Sequence, residues 1–464
     1  MKYLLLFLPY LLSLLFLSEP KVSFAIAWAG SFYIFYLTLA GKIKILPKDL
    51  PISAQLMRPI FFTQVIFAGF MACTSIFYFL DVLGYENFQE VYSSYVVDEE
   101  ELKLTAFCQR LYCLGHAAMA TGILIKMAPP SKSPYYIEKS EISTFVMYFA
   151  LIAYPASLIF LSIKGLTQFH RQFKDLSFIA ATLALALAIP LRKFWQFFLS
   201  TLVYAFNFYH AVISGYKEPI LISIMVLGIF LYPSYKKIVV GVMAPLLLIL
   251  ILLLPTYARV FRENAWSGDT DADNASSIAL DAVLNAGDSR DNTNWEFFTH
   301  RLSEISLFTK YVDTTPYIND FYNFQILKQS IIVLVPRILW PSKPITEHMV
   351  MERAYNAGIV DRDAAVSAKP QFIVDGYLSI GVLGVFISCL LYGMIAQGLS
   401  SEAERLFGSY LVGSALIYSG LYQLMWRGLC YEFLINNIFW SYISMLILFV
   451  VLRHLKIIKI NMHH

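Results

Sequence analysis

The chain has 464 residues, of which 58% are hydrophobic and 14% are charged, and its formal net charge is +3. Its mean hydropathy of +0.61 is far above that of soluble globular domains, so an ordinary soluble protein is excluded. The small net charge gives no reason to expect a nucleic-acid partner. Because backbone amides in lipid must be paired within the segment, the sequence predicts an all-α polytopic membrane protein.

About twelve apolar segments approach the roughly 20 residues that a membrane-spanning helix needs. They are 3–18, 22–40, 59–80, 105–126, 141–163, 177–191, 195–213, 219–233, 238–255, 373–397, 409–426 and 435–452. Lys2 and Ser23-Phe24-Ala25 imitate a cleavable signal peptide, but cleavage there would shorten the second segment, so we expect an uncleaved helix.

The loops indicate an orientation. With both termini in the cytoplasm, the inner loops carry more than twice as many Lys and Arg residues as the short outer loops, as membrane proteins generally do. Residues 256–370 then form one large outer loop. We therefore expect helices in 1–255, a site-bearing outer loop in 256–370, and helices with a cytoplasmic tail in 371–464.

The outer loop begins with an acidic run at 268–273. This run lacks the twelve-residue calcium pattern with its terminal Glu, so a solvated loop is expected, followed by a short helix near 276–285. Residues 295–311 repeat apolar side chains at steps of three and four, which predicts one helical face. The five cysteines of the chain are scattered, without disulfide or zinc spacing.

The segment Val335-Pro336-Arg337-Ile338-Leu339-Trp340-Pro341-Ser342-Lys343-Pro344 combines three prolines with two cations and a Trp. Each proline removes an amide donor and forces the preceding residue towards an extended conformation, so a rigid non-helical ledge is expected. Trp340 prefers the headgroup level of a membrane or stacks on a sugar ring. The ledge is therefore either an interfacial anchor or part of a binding site.

This ledge and one segment on either side of it resemble bacterial O-antigen and exopolysaccharide polymerases of the Wzy type. The segments are His300-Arg301-Leu302-Ser303 before the ledge and Asp375-Gly376-Tyr377-Leu378-Ser379-Ile380-Gly381-Val382-Leu383-Gly384 after it. The family pattern Pro-Arg-x-Leu-Trp-Pro-x-Lys-Pro is nearly complete here. A third family element, Ser-Gly-Ser-Arg-Gly, is matched loosely by Ser214-Gly215-Tyr216-Lys217-Glu218-Pro219, where Lys217 replaces an Arg and its bidentate fork.

The resemblance implies an architecture like that of the GT-C membrane glycosyltransferases and a location in the bacterial cytoplasmic membrane. It implies an enzyme that joins oligosaccharide repeat units carried on polyprenyl diphosphate, at the outer face and without metal or nucleotide. The implied partners are the lipid-linked oligosaccharide, the lipid bilayer and, as a further candidate, a chain-length regulator. No cofactor is expected.

A leaving diphosphate needs fixed positive charge, which Arg supplies best. We expect Arg301 and Arg337 to be catalytic. Further diphosphate or substrate ligands, together with Trp340, are expected among the cations of the outer face. These are Lys217, Arg259, Arg262, Lys343 and Arg427. His210 and Arg110 also fall near outer helix ends and are candidates because ionisable residues in spans tend to be functional.

The acceptor hydroxyl needs a general base, and His300 is the first choice because a His titrates near neutrality. If the stretch is helical, Glu296 and Glu304 lie one turn away and orient the imidazole. The other candidate bases are Glu296 and Glu304 themselves, Glu347 and Asp375. A ligase for a finished chain, or a flippase or exporter of the same lipid-linked sugar, remains an alternative to the polymerase.

Overall fold

The structure is a computed structural model that describes residues 2–90, 95–128, 133–163, 165–215, 217–265, 270–285, 289–363, 367–408, 410–426 and 428–461. Within these ranges the chain is mainly α-helical. The α-helices are α1 Leu8–Leu14, α2 Pro20–Leu39, α3 Pro59–Gln64, α4 Ile76–Val82, α5 Glu99–Lys126, α6 Lys139–Ser162, α7 Thr167–Ala188, α8 Phe194–Val212, α9 Lys217–Ile238, α10 Ala244–Ala265, α11 Ala272–Leu284, α12 Ser289–Phe297, α13 Ile305–Thr314, α14 Gln325–Leu334, α15 Thr346–Asn356, α16 Phe372–Ile380, α17 Val382–Phe407, α18 Tyr410–Leu421, α19 Gln423–Trp426 and α20 Tyr431–His454.

Shorter elements connect these helices. The 3₁₀ segments are Lys2–Phe7 and Ile52–Ala54, and the π-helical segments are Val65–Ala72, Val239–Met243 and Phe298–Leu302. Two antiparallel strand pairs complete the list of elements, β1 Tyr85–Glu86 with β2 Gln89–Glu90, and β3 Tyr135–Tyr136 with β4 Lys459–Ile460.

The all-α prediction is confirmed, and helical segments overlap all twelve predicted spans. Five helical segments of the described chain are long and apolar enough to cross a membrane. They are Pro20–Leu39, Ser140–Ser162, Pro219–Ala265, Val382–Phe407 and Tyr431–His454. α5 differs from these helices because every residue from Cys108 to Leu124 is buried in protein. That enclosure explains how it accommodates Gln109, Arg110 and His116.

Two glycines let α5 and α17 pack closely in the centre of the molecule. A methyl group on Gly122 would overlap the carbonyl oxygen of Leu390, and one on Gly393 would overlap the carbonyl oxygen of Met119. Small residues at helix crossings let backbones approach to van der Waals contact, which is the main attraction between helices in lipid. The crossing therefore fixes the central pair.

The loops predicted to be cytoplasmic meet at one end of the helices. Arg58 donates to both carboxylate oxygens of Asp49, at 2.9 and 2.7 Å, and to both of Glu404, at 3.0 and 2.8 Å. β3 pairs with β4 at the same end, and Lys459 contacts Glu138 at 2.9 Å. These contacts join loops that are far apart in the sequence.

Residues 256–370 gather at the other helix ends. α10 continues across the predicted boundary at 255/256, so this segment starts as an extension of a long apolar helix. Arg353 of α15 donates to Glu432 of α20 through Nη1 at 2.7 Å and Nη2 at 2.9 Å, and its Nε lies 3.2 Å from Asp375 of α16. All three side chains are buried. This triad joins the segment to α16 and to the membrane-length helix α20.

Candidate functional site

A cleft of about 330 Å³ lies where α4 and β1 meet α12 and the π-helical segment Phe298–Leu302. Its volume is in the range of small-ligand sites. The lining residues combine carboxylates, aromatic rings and one imidazole. They are Asp81, Gly84, Tyr85, Glu86, Tyr95, Asn292, Trp295, Glu296, Thr299 and His300.

The backbone around His300 departs from a regular helix. The π-helical turn ends at Ser303, and Glu304 adopts a left-handed conformation with φ 55° before α13 begins. The buried Ser303 carbonyl accepts a hydrogen bond from Tyr112 at 3.0 Å, and Glu304 accepts one from Gln371 at 3.1 Å. The core of the protein therefore holds the turn that carries His300.

Asp81 is the carboxylate nearest to His300. Its Oδ2 lies 3.8 Å from His300 Nε2, and its Oδ1 accepts a hydrogen bond of 3.3 Å from the indole of Trp295. The ring of Tyr78 packs edge-on against the imidazole with centroids 5.6 Å apart. An imidazolium at this position would be stabilised by the carboxylate, which is the arrangement that a general base requires.

The two glutamates that were predicted to orient His300 lie in different surroundings. Glu296 lines the same cleft, but Glu304 is turned towards Gln371. The reason is that the π-helical turn and the left-handed Glu304 break the spacing of three to four residues on which the prediction rested. Sequence reasoning missed Asp81, although an acid within an otherwise apolar helix such as α4 is a signal that marks such a position.

Charge separates this cleft from a phosphate site. Among its described lining residues, Asp81, Glu86 and Glu296 are acidic and none is Lys or Arg. Arg301 follows His300 directly in the chain and is exposed, so it is the nearest cation in sequence. The charge of the cleft therefore disfavours an anionic ligand inside it.

The 335–344 ledge is non-helical, as predicted, and Val335 is extended with φ −71° and ψ 121°. Arg337 donates to the carbonyls of Lys343 and Pro344, at 2.7 and 2.9 Å. The buried Lys343 donates to those of Val333 and Val335, at 3.1 and 2.6 Å. Burial, and next to it the charge of Arg337, lowers the pKa of Lys343. Both cations thus stabilise the turn, and three of the five guanidinium N–H groups of Arg337 have no role in these two bonds.

Of the remaining predicted cations, the structure describes the side chains of Arg259 and Arg262, both on α10. Arg262 donates to the carbonyl of Gly215 at 3.1 Å, which brings α10 beside the 214–219 element. Arg259 contacts Glu263 at 4.0 Å on the same helix. Lys217 begins α9, but its side chain lies outside what the structure describes, as does Arg427.

His210, Arg110 and Glu347 are not among the described residues that line the cleft. His210 packs on Tyr154 of α6, and Arg110 donates to Ser23 at 2.8 Å inside the bundle. Glu347 accepts from Ser367 at 2.6 Å and pairs with Lys369 at 2.8 Å. These residues are committed to structural contacts.

Asp375, the last candidate base, is buried beside Arg353 and accepts from the Tyr431 amide at 2.8 Å. One ligand atom each of Asp375, Cys430 and Glu432 lie within 4.8 Å of one another, a grouping that in other settings holds a metal ion. Here the guanidinium of Arg353 contacts both carboxylates, so it takes the part of the cation.

A family model described as a domain of unknown function, DUF8712, matches residues 8–460, which is almost the whole chain. The chain belongs to this family. No curated protein and no solved structure matches the sequence. The match to DUF8712 includes the cleft, the ledge and the Arg353 triad.

Proposed function

We propose that this DUF8712 protein is a membrane polysaccharide polymerase that joins oligosaccharide units carried on polyprenyl diphosphate. The observation that best supports this proposal is the cleft, which is lined by one imidazole, three carboxylates and three aromatic rings. Arg301 follows the imidazole residue directly in the chain. Sugar rings stack on aromatic faces, and carboxylates accept hydrogen bonds from sugar hydroxyls. The resemblance of the 300–303, 335–344 and 375–384 elements to such polymerases supports the same reading.

In this proposal about twelve helices cross the bacterial cytoplasmic membrane, with both termini inside and a GT-C-like architecture. The separation of the loop contacts supports it, because Arg58 and Lys459 join predicted inner loops while Arg353 joins the predicted outer segment to the opposite helix ends. The cleft then lies on the outer side. Lipid-linked glycan enters from the bilayer.

The reaction transfers the glycan from its diphosphate to a sugar hydroxyl. The bond between the anomeric carbon and the diphosphate oxygen breaks, and the hydroxyl oxygen of the acceptor forms the new glycosidic bond. His300 takes the hydroxyl proton, and Asp81, 3.8 Å from Nε2, stabilises the resulting imidazolium. Arg301 and the free donors of Arg337 hold the departing polyprenyl diphosphate.

The test is chain elongation by the purified protein in vesicles supplied with lipid-linked oligosaccharide. His300→Ala should reduce the elongation rate by about 10²- to 10⁴-fold, the usual contribution of a general base. His348→Ala, which changes an exposed His on α15, is the matched control and should leave the ladder unchanged.

A wild-type ladder from His300→Ala at matched protein level would remove this residue from the mechanism. The wild-type protein also distinguishes the alternatives. Single transfer of a finished chain without a ladder indicates a ligase, and movement across the vesicle membrane without change in glycan length indicates a flippase or exporter.

A further inference from the structure

Three consecutive large apolar side chains project from the ledge. Ile338, Leu339 and Trp340 are 53%, 75% and 38% exposed. A run of exposed apolar residues on a turn is rare in soluble segments unless it binds something. We call these three residues the tip.

The backbone beneath the tip has its carbonyl groups satisfied by protein. The carbonyls at the end of α14 and of Val335 just after it accept hydrogen bonds from two side chains. Lys343 donates to Val333 and Val335, and the Trp440 indole donates to Leu334 at 3.2 Å. A helix end in water needs no such partners, since water supplies them. In lipid every carbonyl must find a partner within the protein.

The tip adjoins the end of one membrane-length helix, α6, and the first half of another, α20. Ile338 lies against Gly165, where an added Cβ would approach the Ile338 backbone to 3.1 Å, and Gly165 follows the end of α6. Trp440, which caps α14, belongs to α20. α6 and α20 contain two of the five apolar segments able to cross a membrane. The apolar surface of the tip thus adjoins the apolar surfaces of α6 and α20.

α14 and α20 run in the same direction. Gln329 of α14 accepts from Arg353 at 3.4 Å, at the level of Glu432 in α20, whereas Leu334 meets Trp440 further along both helices. With a rise of 1.5 Å per residue, the eight residues from Glu432 to Trp440 correspond to about 12 Å along α20. The tip therefore lies nearer to the C-terminal end of α20 than the residues around Arg353 do.

We propose that the tip inserts into the outer surface of the lipid bilayer, with Ile338 and Leu339 among the acyl chains and Trp340 at the headgroup level. Arg337 and Lys343 close the backbone so that the turn can enter this medium. The insertion holds Arg337 at the level of the lipid phosphates. It is independent of the proposed enzymatic activity, because a transporter or a structural membrane protein could use the same anchor.

The experiment measures depth with a fluorescent label. Leu339→Cys, Ile331→Cys and Phe324→Cys place an exposed thiol at the tip, in the middle of α14 and just before its start. Asp361→Cys is the control, exposed in the loop after α15. The unmodified chain gives the background, since Cys73 is half-buried and the other four cysteines are buried. Each protein is labelled with a nitrobenzoxadiazole reagent and reconstituted in phosphatidylcholine–phosphatidylglycerol vesicles that contain acyl-chain doxyl lipids.

Quenching should fall in the order 339, 331, 324, 361, and the label at 339 should be quenched at least about twofold more than that at 361. A water-soluble maleimide should modify Leu339→Cys more slowly than Asp361→Cys. Ile338→Cys provides a second tip position if Leu339→Cys fails to give a monodisperse protein.

Two results would overturn the proposal. Equal quenching and equal maleimide rates at 339 and 361 would put the tip in water. Protection of position 339 from both the doxyl lipids and the maleimide would mean that protein covers the tip, and crosslinking between copies would then distinguish a second copy of the chain from another protein.

Discussion

Replacing Arg353 by Met tests how strongly the triad stabilises the fold. The guanidinium is 1% exposed, makes a two-bond fork with Glu432, and lies 3.2 Å from Asp375. Met keeps the length and apolar stem of Arg but leaves two carboxylates buried without a counter-charge. Removing one partner of a buried ion pair destabilises proteins by about 3–5 kcal/mol. We expect a loss in that range for Arg353→Met.

Arg362 provides the matched control. It lies in the loop that follows α15, and it donates two bonds of 2.8 and 2.7 Å to Glu352, but the two side chains are 61% and 49% exposed. Water already solvates such a pair, so Arg362→Met should change stability little. The unfolding free energy of both variants is measured by dodecyl sulfate titration in mixed micelles. Equal effects of the two substitutions would refute the claim that burial of the triad, and not hydrogen-bond geometry, sets its strength.

Two further predictions concern the central helix pair and the pH dependence of stability. Gly393→Ala should destabilise the protein by about 1–3 kcal/mol because its methyl group meets the Met119 carbonyl, whereas Gly398→Ala on the same helix has open space and should be neutral in a melting experiment. Burial raises the pKa of Glu347, but hydrogen bonds from Lys369 and Ser367 outweigh it, so the net pKa lies below the ordinary 4.5. A lowered carboxyl pKa stabilises the fold above pH 4.5, and this stabilisation is lost as the pH falls through the folded-state pKa. Glu347→Gln should therefore be less stable than the wild type at neutral pH, and its stability should approach that of the wild type in acid. A gap that stayed constant down to acid pH would contradict the assignment.

The sequence predicts the helices well because apolar length is a local property. Helical segments overlap all twelve predicted spans, and the ledge is non-helical where its prolines require it. Only five helical segments of the described chain are long and apolar enough to cross a membrane. α5 is not one of them, since it is enclosed by other helices and carries polar residues such as Gln109 and His116. A helix enclosed by protein can contain polar side chains that a helix facing lipid would exclude.

The candidate site was less predictable because it depends on contacts between distant segments. His300 was identified from its residue type, but its partner Asp81 comes from α4, and the π-helical turn that presents the imidazole has no simple sequence pattern. Arg337 and Lys343 were expected to face substrate, yet each donates to carbonyls of its own turn. The Arg353 triad escaped notice because its members lie in three separate helices.

The triad also has a consequence for biosynthesis. Glu432 lies 79 residues after Arg353 in the chain, whereas Asp375 lies 22 residues after it. A ribosome therefore delivers the guanidinium and one carboxylate well before the helix that supplies the second. Until α20 is synthesised and inserted, Arg353 cannot form its two hydrogen bonds with Glu432, and the segment that carries His300 is not attached to α20. The order of translation thus delays the attachment of residues 256–370 to α20 until that helix is in place.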